Sequence, residues 1–235
     1  MSSTEELKKE AGIHAAKFIK NGMKVGLGTG STVKYTILEL SRRIKEENLE
    51  IKCVPTSIAT EKLSLENGIE LYELSSLNGL DVVIDGADEF DQDMSLIKGG
   101  GGALVREKII AQAAKKVIIV ADESKKVQFL GKFPLPVEVI KFSWKETRRK
   151  ISKLLQLDES KIIRRNIKDS NVAMITDNGN YILDLHLEQI KNPKKLENSL
   201  LNLAGILDCG IFFDIADVVV LSTKKGIEIV NNKRA

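Results

Sequence analysis

Val82-Val83-Ile84-Asp85-Gly86-Ala87-Asp88-Glu89 is an unbroken apolar run that ends abruptly in acids and a glycine. A run without alternation reads as a strand covered on both faces, the kind found in parallel sheets. Val117-Ile118-Ile119-Val120 repeats the pattern and ends in Ala121-Asp122-Glu123-Ser124-Lys125. Two more polar, glycine-laden segments follow strand-like runs. They are Gly26-Leu27-Gly28-Thr29-Gly30-Ser31-Thr32, and Lys98-Gly99-Gly100-Gly101-Gly102 leading to Arg106-Glu107-Lys108. In an open parallel sheet the carboxyl ends of the strands face one crevice, so segments distant in sequence meet there. Such a crevice gathers oxyanion donors, carboxylates and lysines, and reads as an enzyme site for a phosphorylated, hydroxyl-rich small molecule.

Working outward, strands and helices alternate. Ser3 and Glu6 form a capping box ahead of Leu7, Ala11, Ala15, Phe18 and Ile19, which share one helix face up to Lys20. A strand at Met23 to Leu27, a helix at Ser31 to Glu46, a strand at Ile51 to Val54, a helix at Ile58 to Asn67 and a helix at Ala103 to Ala114 complete the pattern. This is the signature of right-handed βαβ units, hence an α/β, Rossmann-like, open and mostly parallel sheet.

The prolines of Gly131-Lys132-Phe133-Pro134-Leu135-Pro136 mark a boundary. Beyond it the order is βαββαβ: a strand at Val137 to Ile140, a helix at Trp144 to Leu155, a hairpin of Val172 to Thr176 with Tyr181 to Leu185, a helix at Pro193 to Leu203, and a strand at Ile206 to Phe212. The hairpin turn Asp177-Asn178-Gly179-Asn180 holds an Asn-Gly pair suited to positive φ. A smaller ferredoxin-like α+β domain over residues 131–212 is expected. Residues 1–130 and 213–235 form the expected catalytic domain, with Asp217 to Leu221 and Ile227 to Val230 returning to its sheet.

The chain has 235 residues, 43% hydrophobic, enough for a real core, and a formal charge of only +3. Basic and acidic residues are interspersed and aromatics make up 5%, which argues against nucleic acid as a partner. Cys53 and Cys209 lie in apolar runs without metal-ligand spacing and read as buried thiols. No run approaches the ~20 apolar residues of a membrane span, and the first ten residues lack a secretory core. A cytoplasmic protein without membrane contact is expected.

Each segment has its own chemistry. The Gly26 to Thr32 loop joins a strand to a helix, so its amides and the Ser31 and Thr32 hydroxyls favour a phosphate or an oxyanion. A dinucleotide is disfavoured, because Ser31 stands where a third glycine belongs and no acid closes the strand at Val54. Taken alone, the loop is also consistent with a tight turn. Asp85 and Asp88, costly to bury unless bonded to donors, suit sugar hydroxyls, or equally an Asp85 cap on a turn. An acidic metal site is undercut by the scarcity of histidine, only His14 and His186. Four glycines in succession lose much backbone entropy on folding, which suggests a backbone placed against an oxyanion. Lys98 supplies a point charge and Glu107 a carboxylate early in the next helix, while Lys125 follows its strand into the same crevice. Neither histidine has a candidate catalytic neighbour in sequence, so a carboxylate must carry any proton transfer.

Together these segments, with Gly131 to Val139 and Thr176-Asp177-Asn178-Gly179-Asn180, resemble type A ribose-5-phosphate isomerases over nearly the whole chain. The resemblance implies a metal-independent, cofactor-free cytoplasmic isomerase of the pentose phosphate pathway. It would interconvert D-ribose 5-phosphate and D-ribulose 5-phosphate as a homodimer or homotetramer assembled through residues 131–212. It also implies substrate contacts at Thr29, Gly30, Ser31, Thr32, Asp85, Gly86, Ala87, Asp88, Lys98, Gly99, Gly100, Gly101 and Lys125, with Glu107 as proton acceptor. Catalysis would then rest on Glu107, Lys98, Asp85 and Asp88. Gly102, where the family often has alanine, and Phe213-Asp214-Ile215 depart from its pattern. A sugar-phosphate sensor would need a DNA-binding module for which there is no room before the first helix, and a dehydrogenase is weakened by the glycine loop.

Overall fold

The computed structural model describes residues 3–232. Residues 1, 2 and 233–235, the outer ends of the expected first domain, lie outside the described residues. The chain begins with α1 (Thr4–Ala16), β1 (Lys24–Leu27), α2 (Val33–Glu47), β2 (Lys52–Pro55), α3 (Ile58–Glu66), the single turn α4 (Leu74–Leu77) and β3 (Val82–Gly86). Two short strands, β4 (Glu89–Phe90) and β5 (Leu96–Ile97), precede α5 (Leu104–Gln112) and β6 (Val117–Asp122). Next come β7 (Leu135–Val139), α6 (Trp144–Leu155), β8 (Ile162–Arg164), β9 (Tyr181–Leu185), α7 (Pro193–Leu201), β10 (Ile206–Cys209) and β11 (Ile211–Phe212). The last strands are β12 (Val218–Thr223) and β13 (Gly226–Asn231). Among the described residues two compact units result, one of residues 3–87, 106–126 and 214–232, the other of residues 88–105 and 127–213.

The first unit is built on a six-stranded sheet in the order β13-β12-β6-β3-β1-β2. All neighbouring pairs are parallel except β12 with β13. Val25, Leu27, Ile84, Ile118, Val120 and Val220 face a core completed by Ala11 and Ala15 of α1 and by Ile37 and Leu40 of α2. The capping box forms, with Glu6 N donating to Ser3 Oγ at 3.2 Å and Ser3 N to the Glu6 carboxylate. Helix α1 stops at Ala16 rather than Lys20, yet Ile19 remains buried through the turn that follows. Because β1, β3 and β6 run parallel, the loops after Leu27, Gly86 and Asp122 leave the same edge of this sheet.

In the second unit a four-stranded antiparallel sheet has the order β10-β7-β9-β8. Numbered within the unit this is 4-1-3-2, the split βαβ arrangement. Its core joins Leu135, Val137, Val139, Leu183 and Leu185 to Ile151 of α6 and Leu200 of α7. The expected hairpin is corrected in one respect: β9 pairs with Ile162–Arg164, not with Val172 to Thr176. Residues 172–174 fold back instead on 165–167, through Ile167 N to Val172 O and Met174 N to Arg165 O. The free edge of β9 is thus already occupied.

The expected strand Ile206 to Phe212 is divided between two sheets at Gly210. Its second half, β11, joins β5 and β4 in a three-stranded sheet, which explains why residues 88–105 group with the second unit. A Cβ on Gly210 would lie 2.2 Å from the Lys98 carbonyl oxygen, so only glycine allows the strand to change sheets there.

Both cysteines are buried thiols. Burial pushes the Cys53 thiol up to about 12. The thiolate is the reactive form, so Cys53 of the folded protein is expected to resist a disulfide reagent at pH 8 and to react promptly in urea. Stopped thiol titration with and without denaturant reads this directly.

Candidate active site

In the first unit, Gly28 permits an approach no other residue allows. A Cβ there would sit 2.1 Å from Asp85 Oδ1. Gly28 N donates to the Ile84 carbonyl at 2.9 Å, continuing the β1–β3 ladder past the end of β1. Asp85, 2% exposed, accepts on Oδ1 from Thr29 N at 3.0 Å and Gly86 N at 2.7 Å. Two backbone dipoles therefore fix the carboxylate at the end of β3 and compensate its removal from water.

The Thr29 hydroxyl turns away from this carboxylate into a cluster of hydroxyls. It lies 2.8 Å from Thr56 Oγ1, 2.7 Å from Ser57 Oγ and 3.2 Å from Thr60 Oγ1. Thr60 Oγ1 donates onward to the Gly28 carbonyl at 2.8 Å, and Ser57 Oγ caps α3 by accepting from Thr60 N. The sequence reading did not single out Thr56, Ser57 or Thr60; a small-hydroxyl run at a helix start is the signal that points to them. Beyond Thr29 the loop opens out. Gly30 and Ser31 are exposed, Gly30 has φ +129°, and Thr32 precedes α2 without capping it through its side chain. Its hydroxyl and the first amides of α2 form an anion-compatible end.

Lys125 stands on a single helical turn, Glu123–Lys125, which Asp122 caps by accepting from Ser124 N at 3.0 Å. Glu107 is the fourth residue of α5 and 3% exposed. Lys108 beside it is also buried.

The second unit gathers the other predicted residues. Asp88 Oδ2 accepts from Gly100 N at 2.7 Å, and a Cβ on Gly100 would lie 2.4 Å from Asp88 Oδ1. Gly99 has φ +101° with Leu104 and Pro136 against its Cα, so the run is shaped by contact as well as by dihedral. Gly102 adopts φ +83°, where glycine rather than alanine is favoured. Lys98 is 3% exposed, its Nζ 5.4 Å from the centre of the Phe212 ring.

Two buried carboxylates of this unit lie within the segments quoted above but were given no role there. Glu89 accepts from Gly131 N at 2.7 Å and Phe133 N at 2.6 Å, anchoring the proline-bearing segment. Glu138, fully buried, receives on Oε1 the Thr176 hydroxyl at 2.9 Å and the Asn180 and Asn178 amides at 2.9 and 3.2 Å. The Thr176 to Asn180 turn is therefore a cradle for a carboxylate as well as a chain reversal.

The sequence profile of Ribose 5-phosphate isomerase A (phosphoriboisomerase A) matches residues 52–226. The chain belongs to this family. It is 45% identical over 229 residues to ribose-5-phosphate isomerase A 1 of Oceanobacillus iheyensis, covering 97% of this chain and 100% of the relative. It is 46% identical over 223 residues to the Bacillus mycoides ribose-5-phosphate isomerase A, with 94% and 98% covered. Among solved structures, ribose 5-phosphate isomerase A of Methanocaldococcus jannaschii superposes with a TM-score of 0.90 at 38% identity, covering 97% of this chain and 100% of that one. A D-ribose-5-phosphate isomerase in complex with phospho-erythronic acid gives 0.92 at 39% identity, with 98% and 100% covered. Except for Thr29 to Thr32, all the candidate residues fall inside the family match.

Replacing Gly28 by alanine should force β1 and β3 apart at the Asp85 carboxylate. The expected loss is about 1–3 kcal/mol, the usual range for an added methyl in a filled site. Urea unfolding of the variant beside the parent protein measures it.

Proposed function

We propose that this protein interconverts D-ribose 5-phosphate and D-ribulose 5-phosphate, and that Glu107 carries the proton. The observation that bears most weight is a buried carboxylate, Glu107, on the helix that follows in the chain a glycine run with one amide already fixed by Asp88. Family membership supports the substrate; the chemistry of these residues supports the roles.

In the open-chain aldose, the Glu107 carboxylate removes the C2 proton. The electron pair forms a C1–C2 double bond, and negative charge moves to O1. Lys98 and the glycine amides stabilise that enediolate oxygen, a role for which fixed dipoles in a dry site are well suited. The hydroxyl proton on O2 passes to O1, and protonated Glu107 returns its proton to C1 as C2 becomes the carbonyl. Atoms and charge balance with no external oxidant, base or metal. Asp85 and Asp88 hold the sugar hydroxyls and assist ring opening, while Thr29 to Thr32 and Lys125 take the phosphate. Gly86 and Ala87 line the sugar, and Gly99 to Gly101 the reacting end. The same reading makes the protein a cytoplasmic homodimer or homotetramer acting in the pentose phosphate pathway. Residues 131–212 then make the subunit contacts.

Glu107→Gln keeps the shape and removes the base. The expected fall in kcat is about 10²–10⁴-fold, with an unchanged circular dichroism spectrum. A folded variant turning over ribose 5-phosphate at the parental rate sinks the assignment. Dialysis of the parent protein against EDTA should leave its rate unaltered in the same coupled assay.

A further inference from the structure

The glycine run is held from its carbonyl side by a residue not yet discussed. Arg165 lies immediately after β8, and its Nη1 donates to the Gly99 carbonyl at 2.7 Å and to the Gly100 carbonyl at 3.1 Å. The same guanidinium makes a two-pronged pair with Asp184 of β9, Nε to Oδ2 at 2.8 Å and Nη2 to Oδ1. Side-chain exposure is only 13% for Arg165 and 17% for Asp184. The main chain of Arg165 is fixed as well, its N–H donating to Ile182 and its carbonyl accepting from Met174.

Peptide geometry turns this clamp into an orientation. In a trans peptide the carbonyl and the following N–H point in opposite directions. With the Gly99 carbonyl drawn to Arg165, the Gly100 N–H faces the other way, where Asp88 accepts it at 2.7 Å. With the Gly100 carbonyl drawn to the same guanidinium, the Gly101 N–H is likewise turned away from it. Glycines carry no preference of their own for one sign of φ, and within the run only the Gly99 carbonyl has a local partner, Gly102 N at 2.9 Å; the Gly100–Gly101 plane is set through Arg165.

We propose that Arg165, anchored by Asp184, is a positioning residue for isomerisation: it sets the peptide plane whose Gly100 amide Asp88 holds and the next one, whose Gly101 amide it directs to the developing oxyanion. This rests on the reading of Lys98 to Gly101 as the oxyanion-stabilising segment. Lysine cannot substitute, because a point charge does not span two carbonyls and a carboxylate as a planar fork does.

The test uses full-length Arg165→Ala, Arg165→Lys and Asp184→Asn proteins with ribose 5-phosphate. For Arg165→Ala, kcat should fall by about 10²-fold, the size of effect expected when a preorganised donor is misplaced, while KM changes little. Arg165→Lys should recover little of this, and Asp184→Asn should show an intermediate loss. Added guanidinium ion at non-denaturing concentration should partly restore Arg165→Ala and leave Glu107→Gln unrestored. Amide exchange at Gly100 and Gly101 should quicken in Arg165→Ala whether or not turnover is measured. A folded Arg165→Ala with parental kcat and unchanged glycine exchange overturns the proposal. If that variant does not fold, parental kcat in folded Asp184→Asn overturns it equally. An inactive parent protein would instead remove the isomerase reading, and the exchange rates would still decide the clamp.

Discussion

A carboxylate taken out of water needs donors, and at Asp85 the donors are backbone amides. Because Thr29 N and Gly86 N both reach one oxygen, the ends of β1 and β3 must lie against each other. That approach leaves no room for a side chain at Gly28. The hydroxyls of Thr56, Ser57 and Thr60 then hold the other side of the same turn, tying the start of α3 to the Gly28 carbonyl. One buried charge thus dictates a glycine and the course of the loop, and gives the hydroxyl cluster its purpose.

The second unit solves the same problem differently. Glu89 and Glu138 are buried, and each accepts from groups more than thirty residues away along the chain, Glu138 on Oε1. Neutral donors surround Glu138, whereas Arg165 and Asp184 form a charged pair with a little access to water. Paired and hydrogen-bonded charges of this sort hold geometry more than they add stability.

Much of the sheet order could be read from the chain, because buried parallel strands announce themselves as apolar runs and helices as spaced apolar positions. Val82 to Ile84, Val117 to Val120 and the capping box of Ser3 and Glu6 are examples. β8 escaped notice because it is short, its Ile163 is half exposed, and two arginines follow. The division at Gly210 was equally hidden, since Cys209, Ile211 and Phe212 are apolar on both sides of it and read as one strand. Within the site, glycine runs and acids after strands were visible as patterns. Glu89, Glu138 and Arg165 were not, for the roles of these residues exist only through partners that folding brings near.

Neither compact unit is a continuous stretch of chain, and this bears on how the protein is made. The central sheet places β12 beside β6, although about a hundred residues separate them. Until the ribosome has delivered residues 218–231, β6 has an open edge and the sheet lacks two of its strands. The intervening residues 127–213, which with 88–105 form the other unit, can gather their own core sooner. The amino-terminal part of the chain is synthesised first yet is among the last to be completed. During that interval its unpaired, apolar strand edge is the surface most in need of protection from other chains.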